Sequence, residues 1–84
     1  MALLIRHDAQ RSLARMPRAD RERLVRRLRA ITAAPFARHP GTTQLVSMEG
    51  AWRLRQGDRR AIYRIVDSDV VVSRVGHRSE VYDA

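Results

Sequence analysis

The stretch WRLRQGDRRAIYRIVDSDVVVSRVGHRSEVY, residues 52–82, alternates apolar and polar side chains at the period of a β-strand. Trp52 and Leu54 alternate with Arg53 and Arg55, and Ala61, Tyr63 and Ile65 alternate with Arg60, Ile62 and Arg64. Only Gly57-Asp58 and Asp67-Ser68-Asp69 interrupt the pattern, so the stretch reads as three short strands joined by two tight turns. A two-residue loop at Gly57-Asp58 sets Gln56 against Arg59, Arg55 against Arg60 and Arg53 against Ile62, because a short hairpin loop fixes register. A three-residue loop around Ser68 sets Val66 against Val70, Arg64 against Val72 and Arg60 against Gly76. A two-residue loop is expected to shift this by one and bring His77 there instead. In either register Arg55, Arg60 and the Gly76-His77-Arg78 end are expected to meet in one row across three strands.

Such a row is unfavourable without a ligand. Like charges directly opposite on a sheet cost a few tenths to about 1 kcal/mol per pair, and a polyanion relieves them. Planar guanidinium groups bind phosphate oxygens in a bidentate fork, so a phosphodiester backbone is the natural partner. His77 adds an imidazole able to give or take a proton, and Tyr82 a phenol able to stack on a base or move a proton. Together they point to a nuclease site.

Arg53-x-Arg55, then Gly57-Asp58-x-Arg60-x-x-Tyr63, then Val75-Gly76-His77-Arg78-Ser79-Glu80-Val81-Tyr82, resemble the RelE branch of the RelE/ParE toxin superfamily. The match covers the C-terminal third to half of the chain closely, and the residues before it in pattern alone. The resemblance implies a single α+β domain over residues 1–84, β-α-α-β-β-β, with a two-helix hairpin packed on one face of a mainly antiparallel sheet. It implies a toxin that enters the ribosomal A site and cuts mRNA, held inactive by a cognate antitoxin in a hetero-oligomer. Arg53 and Arg55 would bind substrate, and Arg60, His77, Arg78 and Tyr82 would be catalytic. Two departures stand out: arginines replace the lysines often found at positions 53 and 55, and the segment after Gly76 is shorter than in some members.

Length and composition bound the rest. Eighty-four residues make one thin-cored domain, which buries only about 60–65% of the unfolded surface. The chain has no cysteine for a disulfide, and its three histidines lack ligand spacing, so neither metal nor other cofactor is expected. No apolar run approaches the roughly 20 residues of a membrane span, and the opening MALLIRHDA is too short and too soon charged for a signal peptide. A cytoplasmic protein is the expectation. Seventeen arginines against nine acids give a formal charge of +8, which predicts attraction to nucleic acid or another acidic partner. Lysine is absent and alanine abundant, a bias that GC-rich codon usage also produces, so net charge and sheet geometry weigh more than any one arginine.

Upstream, Ala2 to Arg6 can supply a strand, and Asp8 is a plausible N-cap for a helix with Ala9, Leu13 and Met16 on one stripe. Pro17 ends it, and a second helix from about Arg18 to Ala33 turns Leu24, Val25, Leu28 and Ile31 inward. This αα-hairpin must cover the apolar face of the sheet. Residues 35–50 lack periodicity, though Leu45, Val46 and Met48 could dock on the core or extend the first hairpin strand. Trp52 and Tyr63 are expected in the core, and Arg18, Arg21, Arg23 and Arg26 of the second helix on a solvated face.

RNA carries its own nucleophile, the 2′-OH, so a metal-free site must align it, take its proton, stabilise phosphoryl charge and protonate the 5′-oxygen. The expected roles are orientation and charge for Arg53, Arg55 and Arg60, base for Tyr82, and the leaving-group side for His77 or Arg78. Two rivals remain: a non-enzymatic, ParE-type poison of DNA gyrase on the same fold, and a module that binds nucleic acid without catalysis.

Overall fold

Both hairpin turns are two residues long. A computed structural model describes residues 1–79 and 81. In it the chain runs β1 (Leu3–Ile5), α1 (His7–Ala14), α2 (Arg18–Ala33), β2 (Thr42–Gln44), β3 (Trp52–Gln56), β4 (Arg59–Val66) and β5 (Asp69–His77). Gly57 supplies the positive φ of 59° that opens a II′-type turn, and β3 pairs with β4 in the expected register: Gln56 with Arg59, Arg55 with Arg60, Arg53 with Ile62.

The second turn is the two-residue alternative of the two expected, but it does not bring His77 opposite Arg60. Asp67 and Ser68 both take left-handed φ, 51° and 70°, so Val66 pairs with Asp69 and Arg64 with Val71, rather than with Val70 and Val72. Carried on unbroken, that count would bring Val75, not His77, opposite Arg60. A β-bulge intervenes: Tyr63 pairs with Val72 but Ile62 with Arg74, leaving Ser73 as the extra residue. The bulge restores one register step, and Arg60 faces Gly76 while Arg59 faces His77.

The sheet order is β1-β5-β4-β3-β2, with β1 parallel to β5 and every other pair antiparallel. This is the expected helix pair on a mainly antiparallel sheet, with five strands instead of four. The extra one is β2, from the stretch without periodicity, which pairs Thr42 with Leu54 and Gln44 with Trp52. Three residues leave too few alternations for a pattern to show. Leu45 and Met48 dock as expected, whereas Val46 is fully exposed.

The helices cover one sheet face. Ala9, Leu13, Met16, Leu24, Leu28 and Ile31 pack on Leu54, Ala61, Tyr63, Val70, Val72 and Val75, with Trp52 and Val25 half-buried at the margin. Asp8 is not the N-cap of α1. The extended Arg6 precedes the helix, and Asp8 lies inside its first turn, where a carboxylate still favours the helix dipole. Arg27, on α2, fastens the helix to the sheet end: its guanidinium donates to Pro40 O, to Arg55 O (3.1 Å) and to Gln56 Oε1 (2.7 Å). Gly41, at φ +74°, fits beneath it, since a Cβ there would meet Arg55 O at 2.8 Å.

Candidate functional site

On the sheet face away from the helices, the alternation that buries Leu54, Ala61 and Val75 turns Arg53, Arg55, Arg60, Arg64 and Arg74 outward. Arg55 and Arg60 stand directly opposite each other, and Arg53, Ile62 and Arg74 form the next row. Between the arginines sits a small apolar cluster of Ala51, Ile62 and Val81, with Leu45 and Met48 packed against it. Charged groups therefore ring a dry patch. Low-dielectric surroundings strengthen a field at such a surface.

Several of these guanidinium groups rest on backbone carbonyl oxygens. Arg60 Nη1 donates to Gly57 O (2.7 Å) and Arg59 O (2.9 Å), which draws the side chain back over the hairpin turn. Arg64 Nε donates to Glu49 O (3.4 Å), and Arg74 Nη1 to Val81 O (3.5 Å). Neutral acceptors orient a guanidinium without cancelling its charge. Arg55 is exposed, and the main chain holds it in place: its amide donates to Gly41 O (2.9 Å) while its carbonyl accepts from Arg27.

His77 does not join this face. It pairs across the strands with Arg59, and with Gln56 beyond, so its ring lies on the helix side, in a cleft of about 300 Å³ lined by Asp20, Arg23, Asp58 and Arg59. Of the two expected registers, the one that sets Gly76 opposite Arg60 is found, and the alternative that brings His77 there is not. Ser79 N donates to His77 Nδ1 (3.4 Å), and Ser79 Oγ lies 3.1 Å from the same nitrogen. Arg59 forms an ion pair with Asp20 (3.6 Å), so this side carries its own counter-charge.

Arg78 is exposed just past β5, its amide donating to Asp58 O (2.9 Å) at the β3–β4 turn. Tyr82 lies outside the described residues. Of the expected site residues, Arg53, Arg55 and Arg60 come together, and His77 is turned away. Arg64 and Arg74 are additions. Sequence reading missed Arg74 because strict alternation from Val72 assigns it to the helix face. The apolar spacing Val70, Val72, Val75, two and then three, was the available signal of a bulge.

On the helix side, a second, apolar groove of about 1140 Å³ runs from Phe36 and His39 to Trp52, Tyr63 and Ile65. Burial raises the Tyr63 phenol above its ordinary pKa, against a smaller opposing effect of its hydrogen bond with Thr42. Among the described residues no group of three or more His, Asp and Glu could hold a metal ion, and no helix is long and apolar enough to cross a membrane.

The sequence profile of the ParE toxin of type II toxin-antitoxin systems, parDE, matches residues 3–82. No curated protein sequence matches. Among solved structures, the toxin-antitoxin complex RelBE2 of Mycobacterium tuberculosis contains a chain 27% identical, with 92% of this chain and 96% of that one covered at a TM-score of 0.74. The isolated RelE toxin of E. coli is 24% identical over 95% of this chain and 88% of its own, at 0.76. A chain of the RelB-RelE antitoxin-toxin complex of Methanococcus jannaschii, at 17% identity and 95% coverage of both, reaches 0.80. The last two likenesses are of fold.

Proposed function

The chain belongs to the ParE toxin family of type II toxin-antitoxin systems, within the RelE/ParE superfamily, and we propose that it acts as a ribosome-dependent endoribonuclease that cleaves mRNA in the A site. The observation that carries this reading is Arg55 directly opposite Arg60, with Arg53 and Arg74 in the adjoining row. A sheet tolerates such a face at a cost, and a phosphodiester backbone is the ligand that removes it. The 27% identity to a chain of the RelBE2 complex supports the same branch.

The reaction is an in-line attack of the 2′-OH on the adjacent phosphorus. The Tyr82 phenol, once ionised, takes the 2′-OH proton as the O–P bond forms. Guanidinium groups of Arg53, Arg55 and Arg60 hold the phosphate and stabilise charge on its non-bridging oxygens as the P–O5′ bond breaks. The ring of His77 turns toward Arg59, which favours Arg78 on the leaving-group side. Arginine gives up a proton reluctantly, so Arg78 stabilises the departing 5′-oxygen and water supplies its proton. The products are a 2′,3′-cyclic phosphate and a 5′-hydroxyl. Its partner is a cognate antitoxin presenting an amphipathic helix and acidic residues.

A second reading, a gyrase poison without enzymatic activity, is favoured by the ParE profile and by a histidine facing away from the arginines. Induced expression of wild type, Arg60→Ala and Tyr82→Phe, with primer extension on a reporter mRNA, separates the two. Cuts inside translated codons that depend on active ribosomes and weaken in both variants are expected. Growth arrest with intact mRNA and broken DNA would replace this reading with the gyrase one.

A further inference from the structure

Helix α2, the loop before β2 and the end of β3 all meet on one side chain. Arg27, half-buried on α2 beside the fully buried Leu24 and Leu28, donates from Nη1 to Arg55 O (3.1 Å) and Gln56 Oε1 (2.7 Å), and from Nη2 to Pro40 O. A guanidinium holds its donors in a rigid planar fork, so acceptors from two other segments, met at once, fix the spacing of helix, loop and strand. The loop reaches the strand as well: Gly41, next to Pro40, accepts from the Arg55 amide (2.9 Å). Both peptide groups that flank the Arg55 Cα are therefore tied, one to the loop and one to Arg27. The junction has little slack, since a Cβ on Gly41 would lie 3.0 Å from Nη2 of Arg27. All three acceptors of Arg27 are neutral, so the fastening does not cancel its charge.

We propose that Arg27 is a positioning residue: it touches no substrate, but fixes the strand end that carries Arg55 and so sets where that guanidinium meets the phosphate. The inference rests on the endoribonuclease reading. Arg60, Arg64 and Arg74 each rest a guanidinium nitrogen on a carbonyl oxygen of the arginine face, whereas Arg55 is exposed and is steadied through its main chain. Its placement therefore depends on what holds that main chain, which is Arg27 and the loop that Arg27 gathers in. Misplacement by about 1 Å can cost about 10²-fold in rate, so a loosened junction lowers turnover more than affinity. A lysine at position 27 keeps the charge but lacks the planar fork, and separates geometry from charge.

The test compares wild type, Arg27→Lys and Arg27→Ala in two independent measurements on the purified chain. In the first, amide hydrogen exchange at Arg55 is expected to quicken about tenfold in Arg27→Ala, while the Val70 amide, which donates to Ala2 O (2.9 Å) two strands away, keeps its protection. Unchanged exchange at Arg55 would overturn the fastening. If Arg27→Ala loses protection at both amides, Arg27→Lys decides: loss at Arg55 alone upholds the local role, and loss at both or at neither overturns it. In the second, single-turnover cleavage of mRNA on programmed ribosomes is expected to slow about 10²-fold at saturation in Arg27→Lys, with the half-saturating concentration little changed. In an Arg55→Ala background the same substitution is expected to slow cleavage no further, because it acts through Arg55. An additive loss in that double variant, or full activity in Arg27→Lys, would overturn the positioning role. Weaker binding at an unchanged saturating rate in Arg27→Ala, with a salt slope smaller by about 0.7, would make Arg27 a phosphate ligand and overturn it too. Absence of cleavage by wild type, beside the expected exchange result, would overturn the endoribonuclease reading and the catalytic purpose of Arg27 while leaving the fastening of Arg55 standing.

Discussion

At the scale of single residues, the cost of this fold is concentrated in left-handed backbone. Ser68 sits at φ 70° with a side chain, a conformation that crowds Cβ against the carbonyl by about 1–2 kcal/mol. Ser68→Gly completes the Asp-Gly pair that such turns favour, and is expected to stabilise the domain by roughly 0.5–1 kcal/mol after the added flexibility of glycine in the unfolded chain is offset. Urea denaturation checks it. The same measurement separates two glycines that share φ +74° but differ in surroundings. Gly50→Ala meets nothing within 4 Å and should cost about 1–2 kcal/mol. Gly41→Ala must also push its Cβ past Arg55 O and Arg27, adding about 1–3 kcal/mol of overpacking. Equal losses at the two sites would mean that the Arg27 fastening is not tight. Tyr63 offers a titration. Its folded-state pKa is raised, so its contribution to stability is whole below the ordinary phenol value of 10.0 and is lost as pH rises from there through the folded value. Stability measured from pH 8 to 11 should fall less steeply in Tyr63→Phe than in wild type.

At the scale of elements, the sequence carried the strands and helices but not the detail that sets the site. Apolar spacing gave α2 as Arg18–Ala33 and the β3–β4 pairing residue for residue, since both rest on local rules of periodicity and turn length. Arg53, Arg55 and Arg60 were legible for the same reason. Two features beyond local rules were not. β2 is held by its pairing with β3 and has too little alternation of its own. The bulge at Ser73 shows only as one three-residue gap among apolar residues, yet it decides that Arg74 joins the arginine face and His77 leaves it. The bulge makes a deletion test possible. Removing Ser73 leaves Val72 opposite Tyr63 and Arg74 opposite Ile62, so the register survives and the expected cost is about 1 kcal/mol, one hydrogen bond. Removing Val71 instead turns Val72 outward and forces Ser73 into the core, at about 2–5 kcal/mol. Urea midpoints of the two deletions should therefore differ widely. Similar midpoints would mean that the bulge migrates along β5.

At the scale of the whole molecule, a charge of +8 on 84 residues opposes folding by self-repulsion. The opposing attractions are small. Arg18–Glu22 (2.8 Å) and Arg23–Asp20 (3.4 Å) are exposed helix pairs worth about 0.3–0.5 kcal/mol each. The opposed Arg55 and Arg60 alone forfeit up to about 1 kcal/mol, and unpaired repulsion across the rest of the surface adds to it. Salt weakens both kinds of interaction, with a screening length falling from about 30 Å at 0.01 M to about 8 Å at 0.15 M. Repulsion is the larger sum, so added sodium chloride should raise the melting temperature. Arg55→Gln should raise it at low salt and flatten the dependence, because one of the two facing charges is gone. Single-stranded RNA should act the opposite way with salt. Each phosphate neutralised contributes about −0.7 to the slope of log K against log salt, so stabilisation by an oligoribonucleotide should be largest at 0.01 M and fade as sodium chloride rises. In Arg55→Gln that slope should be shallower by about 0.7. A slope that is unchanged in Arg55→Gln, with salt still raising the melting temperature of the free chain, would mean that RNA binds elsewhere on a basic surface and that the arginine face serves another ligand.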